Sequence, residues 1–250
     1  MKSVSDLEAA LYDTWTPDES ATIAGWTVHA NGGFTRRVNC ATGVGAPDTD
    51  PGAREEITAW LTARGGQPIV RVTPLLAASA VAAIHIEWGY AAFDETVVLA
   101  APVQAAARDP AVEIVGVDDE AFFDNINALN NRHESSKQAW RRLLGRIKDR
   151  AAGLLVHDVG VALVASSGPI AEVYTVAVAP AHRRQGIARS LMATAHAWAR
   201  TRACEIVSLQ VGGTNAPALA LYDELGYSEA YRYHYLQPLG HSSDGRIDGC

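Results

Sequence analysis

The sequence predicts an α/β fold made of two mixed-sheet halves in tandem, and three observations lead there. Apolar stretches with strand-like alternation take turns with stretches of helical period along most of the chain. The alternation breaks at "QAAARDPAVE", residues 104–113. Finally, "EWGYAAFDETVVLA" falls without a gap on "ELGYSEAYRYHYLQ" when the first half is displaced by 137 residues, setting Glu87 on Glu224, Gly89 on Gly226 and Tyr90 on Tyr227. In both places a helix ends at a glycine, which takes the left-handed conformation cheaply, and an aromatic leads into a strand. Upstream, "IVRVT" falls on "IVSLQ" within one residue. An ancient duplication accounts for this, although two helix-to-strand corners can look alike without one.

In the first half, residues 20–40 are strand-like, 53–64 helical, 68–73 a strand, 75–86 helical and 95–101 a strand. The second half runs strand 112–117, helices 119–130 and 136–149, and strands 153–158, 160–166 and 170–178. Helix 187–202, strand 205–211, helix 216–225 and strand 229–236 complete it. The domains expected are 1–107 and 108–238, followed by a small, polar tail, 239–250, expected to be poorly ordered.

Composition narrows the function. The chain has 250 residues, 21 basic and 28 acidic, for a net charge of −7. That balance supplies no general basic field, so nucleic-acid binding is not expected and any anion site must be local. The basic runs "RRVN" (36–39) and "RRLLGRIKDR" (141–150) lack interleaved aromatics and read as solvated faces. No apolar run reaches the ~18–20 residues of a membrane span, and "MKSVSDLEAALYDTW" lacks a secretory core, so a cytoplasmic protein is expected. Cys40, Cys204 and Cys250 are widely spaced with no CxxC pair, which suggests neither disulfides nor a metal site. Trp26, Trp60 and Trp88 are expected to build the first half's core, with the acceptor cleft as the other place for one of them.

The most informative stretch is "APAHRRQGIAR", residues 179–189, at a strand-to-helix corner. From Ile187 onward, Ile187, Leu191, Ala195 and Trp198 share a face, so this helix packs on a sheet. Its first turn carries N–H groups without intrahelical partners and the positive end of the helix dipole. Gly186 lets a ligand approach, Ala188 is nearly as small, and Arg183 and Arg184 add donors suited to phosphate oxygens. Neither a Walker loop nor a dinucleotide GxGxxG is present. A pyrophosphate site fits this corner, and so does a basic surface turn. The aligned stretch of the first half, "GAPDTDPG" (45–52), has Pro47 and Pro51 without N–H donors and Asp48 and Asp50 to repel anions.

Arg183-x-x-Gly186-x-Ala188 resembles the Arg/Gln-x-x-Gly-x-Gly/Ala signature of the GNAT superfamily of acetyl-CoA-dependent acyltransferases. "YTVAVAPAH" before it looks like that family's fourth strand, and "LQVGGTNAPALALYDELGY" resembles the strand, asparagine, helix and tyrosine that follow. The likeness covers residues 112–237 and is weaker in the first half, so the chain resembles a tandem GNAT protein whose amino-terminal copy has lost its cofactor loop. The resemblance implies acetyl-CoA as co-substrate and no metal. It places main-chain groups of Val176, Ala177 and Val178 against the pantetheine, N–H groups of Arg184, Gln185, Gly186, Ile187, Ala188 and Arg189 around the pyrophosphate, and the Arg183 side chain beside them as a charged donor. Asn215 is a cofactor contact, a helix cap, or both. It implies that Tyr222 protonates the leaving thiolate, a core-packing aromatic being the other reading of that residue, and that the acyl oxygen is held by a backbone N–H near Val178. The aligned position of the first half holds His85.

The base departs from one pattern of the family. Where some relatives carry a glutamate, this chain has Gln210, which cannot take a proton. Glu172 replaces it as first candidate, sharing a face with Tyr174, Val176 and Val178 by simple alternation unless a bulge intervenes, and a solvated strand-end carboxylate is its other reading. His182 and a relayed water are the others. The function expected is direct transfer of an acetyl group to an amine of a small molecule, amino acid or peptide terminus. A non-catalytic acetyl-CoA-binding module is the alternative, and a homodimer is left open.

Overall fold

Ser3 accepts a hydrogen bond from the Asp6 N–H while the Asp6 carboxylate answers the Ser3 N–H, a capping box that starts a helix the periodic reading had passed over. This helix, α1 (Val4–Thr14), opens the computed structural model, which describes residues 2–32 and 34–240. The strand-like stretch 20–40 divides into β1 (Glu19–Ile23) and β2 (Trp26–Ala30) at a two-residue turn in which Ala24 and Gly25 both take positive φ. Alanine is a poor signal for such a turn, which is why the break was not legible. The chain continues through β3 (Ala41–Thr42), α2 (Pro51–Thr62), β4 (Val70–Val72), α3 (Ala78–Ile86) and β5 (Tyr90–Pro102). The second half supplies β6 (Glu113–Val115), α4 (Glu120–Leu129), α5 (Glu134–Ile147), β7 (Ala151–Val156), β8 (Gly160–Ser167) and β9 (Ile170–Val178). It closes with α6 (Ile187–Thr201), β10 (Ile206–Gly212), α7 (Ala216–Glu224) and β11 (Ser228–Pro238). Residues 241–250, most of the expected tail, lie outside the described residues.

One mixed sheet of eleven strands runs through the described residues in the order β1-β2-β3-β4-β11-β5-β10-β9-β8-β7-β6. That order reads nearly alike from both ends. On one side β3 is parallel to β4 and β4 antiparallel to β11; on the other β9 is parallel to β10 and β10 antiparallel to β5. The aligned strands β5 and β11 pair with each other at the centre, from Tyr90↔Pro238 to Ala100↔Ser228. Each half's last strand thus crosses to the other half's inner parallel strand. Gly89 and Gly226, which precede these strands, both take positive φ, 65° and 80°.

Alternation along each strand sends side chains to two faces. One face of the second half packs Val173, Val207 and Leu209 against Leu191 and Trp198 of α6 and Tyr222 of α7. The opposite face packs Leu163 and Tyr174 against Trp15 beyond α1, Phe122 of α4 and Trp140 of α5. Trp26 and Trp88 are buried with Ile57, Leu61 and Ile84 under α2 and α3, and Trp60 lies partly buried at the edge of that cluster. Cys40 and Cys204 are buried. The "RRVN" stretch is less solvated than expected. Arg36 pairs with Asp94 at 2.5 Å, and Arg37 is only 6% exposed, its guanidinium 5.7 Å from the Trp15 ring and 5.9 Å from Tyr174. The run 141–150 is stitched down by ion pairs of Arg141 to Glu120, Arg142 and Arg146 to Asp18, and Arg150 to Asp13.

Candidate active site

Two parallel strands create the site by parting. β9 and β10 pair from Ile170↔Ile206 as far as Val173↔Leu209 and no further, yet β9 stays on β8 to Val178 and β10 stays on β5 to Gly212. Beyond Val173 the strands face each other across a wedge whose main-chain edges belong to neither ladder, a natural groove for an extended amide-bearing ligand. A cavity of about 80 Å³ occupies it, lined among others by Thr175, Val176, Gln210, Asn215 and Tyr222.

The parting coincides with a bulge. Opposite β8 the register slips between Leu163↔Tyr174 and Val161↔Ala177, and Thr175 takes φ 53°. Before the slip Val173 faces α6 and Tyr174 faces α1; after it Val176 packs on the α6 side and Ala177 on the α1 side. This corrects the simple alternation, since Glu172 keeps the face of Tyr174 but not that of Val176.

After β9 the chain makes a short turn, Pro180–His182, and enters α6 through Arg184 at φ 63° and Gly186 at φ 86°. Ser190 is the first residue to donate back, to the Gly186 carbonyl at 3.0 Å. Among the described residues the N–H groups of Arg184, Gln185, Gly186, Ile187, Ala188 and Arg189 donate to no acceptor, and residues 181–186 are exposed. Gly160 in β8 lets α6 sit low, because a Cβ there would lie 2.6 Å from Ile187 Cγ2. The Arg183 Nε donates to the Val178 carbonyl at 3.3 Å, tying the loop to the end of the wedge. Arg189 pairs its side chain with Glu224, leaving only its amide to the loop. His182 is exposed in the turn.

On the α7 side, Asn215 caps the helix, its Oδ1 accepting from the Ala218 N–H at 3.3 Å, and it also lines the cavity. Tyr222 is 6% exposed, and burial pushes its hydroxyl up to about 12. That hydroxyl has no hydrogen-bond partner among the described residues. Its ring meets Tyr227 edge-on at 5.8 Å, and the Tyr227 hydroxyl is 2.9 Å from His196 Nε2. His196 Nδ1 accepts from the Gln104 N–H, so Nε2 carries the proton and donates to Tyr227. Burial lowers His196 to about 4 and keeps it neutral.

Glu172 lies across the sheet from Tyr222, on the α1 face. It is 1% exposed, and burial raises its carboxyl to about 7, with the Ser208 hydroxyl bond and nearby Arg37 drawing it back. Ser208 donates to Oε1, while Oε2 has no partner among the described residues. Tyr222 lines the cavity, whereas Glu172 lies buried in the paired stretch before the wedge, on the other face of the sheet. Along β10, Gln210 shares the face of Ser208, and its Oε1 accepts from the Tyr233 hydroxyl at 2.8 Å. The sequence reading missed Thr175, Ser208, Tyr233 and Arg37. No spacing rule marks them: Thr175 arrives from a bulge, Ser208 from the pairing of β9 with β10, Tyr233 from the crossing strand β11 and Arg37 from the short turn between β2 and β3.

The corresponding opening in the first half is sewn shut. Gly45 N–H donates to the Leu75 carbonyl at 2.8 Å and Ala77 N–H to the Gly45 carbonyl at 2.7 Å, bridging the chains beyond β3 and β4. The Asp50 carboxylate takes the Ala53 N–H at the start of α2, and the Trp26 and Trp88 indoles donate to the Asp48 and Thr49 carbonyls. His85 bonds the Tyr90 carbonyl through Nδ1 at 2.8 Å.

Residues 117–227 match the acetyltransferase (GNAT) family. This part of the chain is a GNAT acetyltransferase domain. Among curated proteins, the mycothiol acetyltransferase of Thermobispora bispora is 32% identical over 104 residues, 40% of this chain and 35% of that protein. The ribosomal protein bS18-alanine N-acetyltransferase of Escherichia coli is 35% identical over 78 residues, 31% of this chain and 51% of that one. The matches thus span about a third to a half of these relatives. The likeness in fold to solved structures extends over nearly the whole chain. A GCN5-related N-acetyltransferase from Kribbella flavida superposes with TM-score 0.70 at 17% identity, over 96% of this chain and 98% of that one. A tandem GNAT protein from the clavulanic acid biosynthesis pathway gives 0.56 at 15% identity, over 82% and 77%. No helix among the described residues is long and apolar enough to cross a membrane.

Proposed function

We propose that the protein is an acetyl-CoA-dependent N-acetyltransferase, with catalysis confined to residues 108–238 and residues 1–107 a duplicated half that has given up its cofactor site. The observation that carries this is the run of unpaired amides from Arg184 to Arg189, opening beside a wedge in which the Tyr222 hydroxyl stands without a partner. Unpaired N–H groups at a helix start suit a diphosphate, and the main-chain edges around Val176, Ala177 and Val178 suit pantetheine amides. Arg183 and Arg184 extend cationic donors beside them. The sewn opening in the first half supports a single site per chain.

Acetyl-CoA supplies an activated thioester. The amine nitrogen forms a bond to the thioester carbonyl carbon as the carbon–sulfur bond breaks. Glu172, near the pH where it changes charge, takes the proton the amine loses, and Tyr222 gives its proton to the departing sulfur. Holding donor and acceptor in line is worth ~7–11 kcal/mol of the barrier, so positioning supplies most of the rate. The acceptor is an amine on a small molecule, amino acid or peptide. Gln210, standing where some relatives carry a glutamate, favours the second reading of a non-catalytic acetyl-CoA-binding module. Calorimetric titration with acetyl-CoA followed by thiol release against a panel of amines separates them. The enzyme binds and releases thiol, whereas binding without turnover on every amine would leave the module.

A further inference from the structure

Nothing holds Tyr222 by its tip. With no partner for the hydroxyl among the described residues, the place of that oxygen in the wedge is set by how its ring packs and by the last turn of α7, which carries it. Both are fixed from one segment. Residues 103–112, which join β5 to β6 and so connect the two halves, contain no helix or strand. They are nevertheless laid along α6. The Gln104 N–H donates to His196 Nδ1 at 3.1 Å, Arg200 donates to the Ala106 carbonyl at 3.2 Å, and the Asp109 N–H donates to the Thr194 hydroxyl at 3.3 Å.

From that segment Gln104 reaches Tyr222 by two routes. Its side-chain Nε2 donates to the Leu225 carbonyl at 2.7 Å, and the Leu225 N–H donates to the Tyr222 carbonyl at 3.1 Å, so the end of α7 is pinned at the tyrosine. Its main-chain N–H fills His196 Nδ1, which leaves the Nε2 proton for the Tyr227 hydroxyl. Tyr227 stands edge-on to the Tyr222 ring, and its own N–H donates to the Tyr222 carbonyl at 3.0 Å. The His196, Tyr227 and Tyr222 rings are all buried. A phenol that must meet a departing sulfur tolerates little error, since a misplacement of about 1 Å by a distant change costs on the order of 10²-fold in rate.

We propose that the connection between the halves positions the proton donor, Gln104 acting with His196 and Tyr227 as a bracket that aims the Tyr222 hydroxyl into the wedge. None of the three lines the cavity, so they are positioning residues that act through Tyr222. This rests on the role proposed above for Tyr222. It gives the joint between the halves a part in the chemistry.

The test measures kcat and KM by thiol release, with acetyl-CoA and the fastest amine of the panel, in wild-type and Tyr222→Phe backgrounds. Gln104 is exposed, so its variants disturb little else. Gln104→Leu lowers kcat by about tenfold, with the KM for the amine and the calorimetric affinity for acetyl-CoA changed less than about threefold. Gln104→Lys returns a donor to the Leu225 carbonyl and recovers most of that loss. Tyr227→Phe keeps the ring but gives up the hydroxyl that His196 holds, and lowers kcat by about tenfold or more. In the Tyr222→Phe background neither Gln104→Leu nor Tyr227→Phe lowers kcat by more than about twofold, because the group they aim is gone. If Tyr227→Phe does not fold, the Gln104 pair decides. Unchanged kcat in Gln104→Leu, or equal losses in the two backgrounds, would overturn the inference and leave the acid role of Tyr222 standing. A Tyr222→Phe enzyme as fast as wild type would overturn both, as would acetyl-CoA binding with no amine acetylated.

Discussion

The roles proposed for Glu172 and Tyr222 rest on burial. A carboxyl raised to about 7 is mostly protonated at pH 6 and mostly ionised at pH 8, so kcat should rise with pH through about 7. Glu172→Gln should remove that inflection and lower kcat by about 10²- to 10⁴-fold. The sign for stability is opposite. Because the folded pKa lies above the unfolded one, the native state binds the extra proton, and stability falls as pH rises between about 4.5 and 7. Thermal melts should therefore show Glu172→Gln gaining on wild type at pH 8 relative to pH 5. Tyr222→Phe should cut kcat by about 10²-fold while calorimetry finds acetyl-CoA affinity unchanged. Tyr222, Asn215 and Gly186 could be proposed from the sequence because their spacing repeats a known order. Ser208 and Tyr233 could not, since what they touch depends on strand pairing, of β10 with β9 for Ser208 and of the crossing strand β11 for Tyr233.

At the scale of elements, the start of α6 and the gap between β9 and β10 make the proposed site. A Cβ on Gly186 would meet no protein atom within 4 Å, so packing does not require the glycine; its φ of 86° and the open side of the loop do. Gly186→Val should cost on the order of 1–3 kcal/mol of strain. It should also weaken acetyl-CoA at least about tenfold by calorimetry, with Tyr222 chemistry otherwise intact. The helix itself was readable from Ile187, Leu191, Ala195 and Trp198, which all pack on the sheet. The bulge at Thr175 was not, because nothing in "AEVYTVAV" distinguishes a slipped strand from a regular one, and so the face of Val176 was misread. Helix α1 was passed over for a similar reason. Its capping box lies in a stretch weighed only as a leader.

For the whole molecule, the exchange of β5 and β11 across the centre ties the halves together. A fragment of residues 108–240 would lack β5 and leave β10 with an open edge, as β11 would lose its partners on both sides. It should fail to give a cooperative thermal transition, and co-expression with residues 1–107 should restore one. A fragment that melts cooperatively by itself would show that the crossing strand is dispensable. The repeat that displaces Gly89 onto Gly226 pointed to two related halves, but a displacement in sequence carries no information about which half a strand completes. That choice is made by pairing, here by the match of β5 and β11 along their length.

The account turns on where the diphosphate of the donor sits. A crystal structure of the protein with CoA tests this most directly: the diphosphate oxygens should lie within about 3 Å of the amides between Arg184 and Arg189, with the pantetheine running between β9 and β10. Density for the nucleotide end at any other surface, with those amides turned to water, would contradict it.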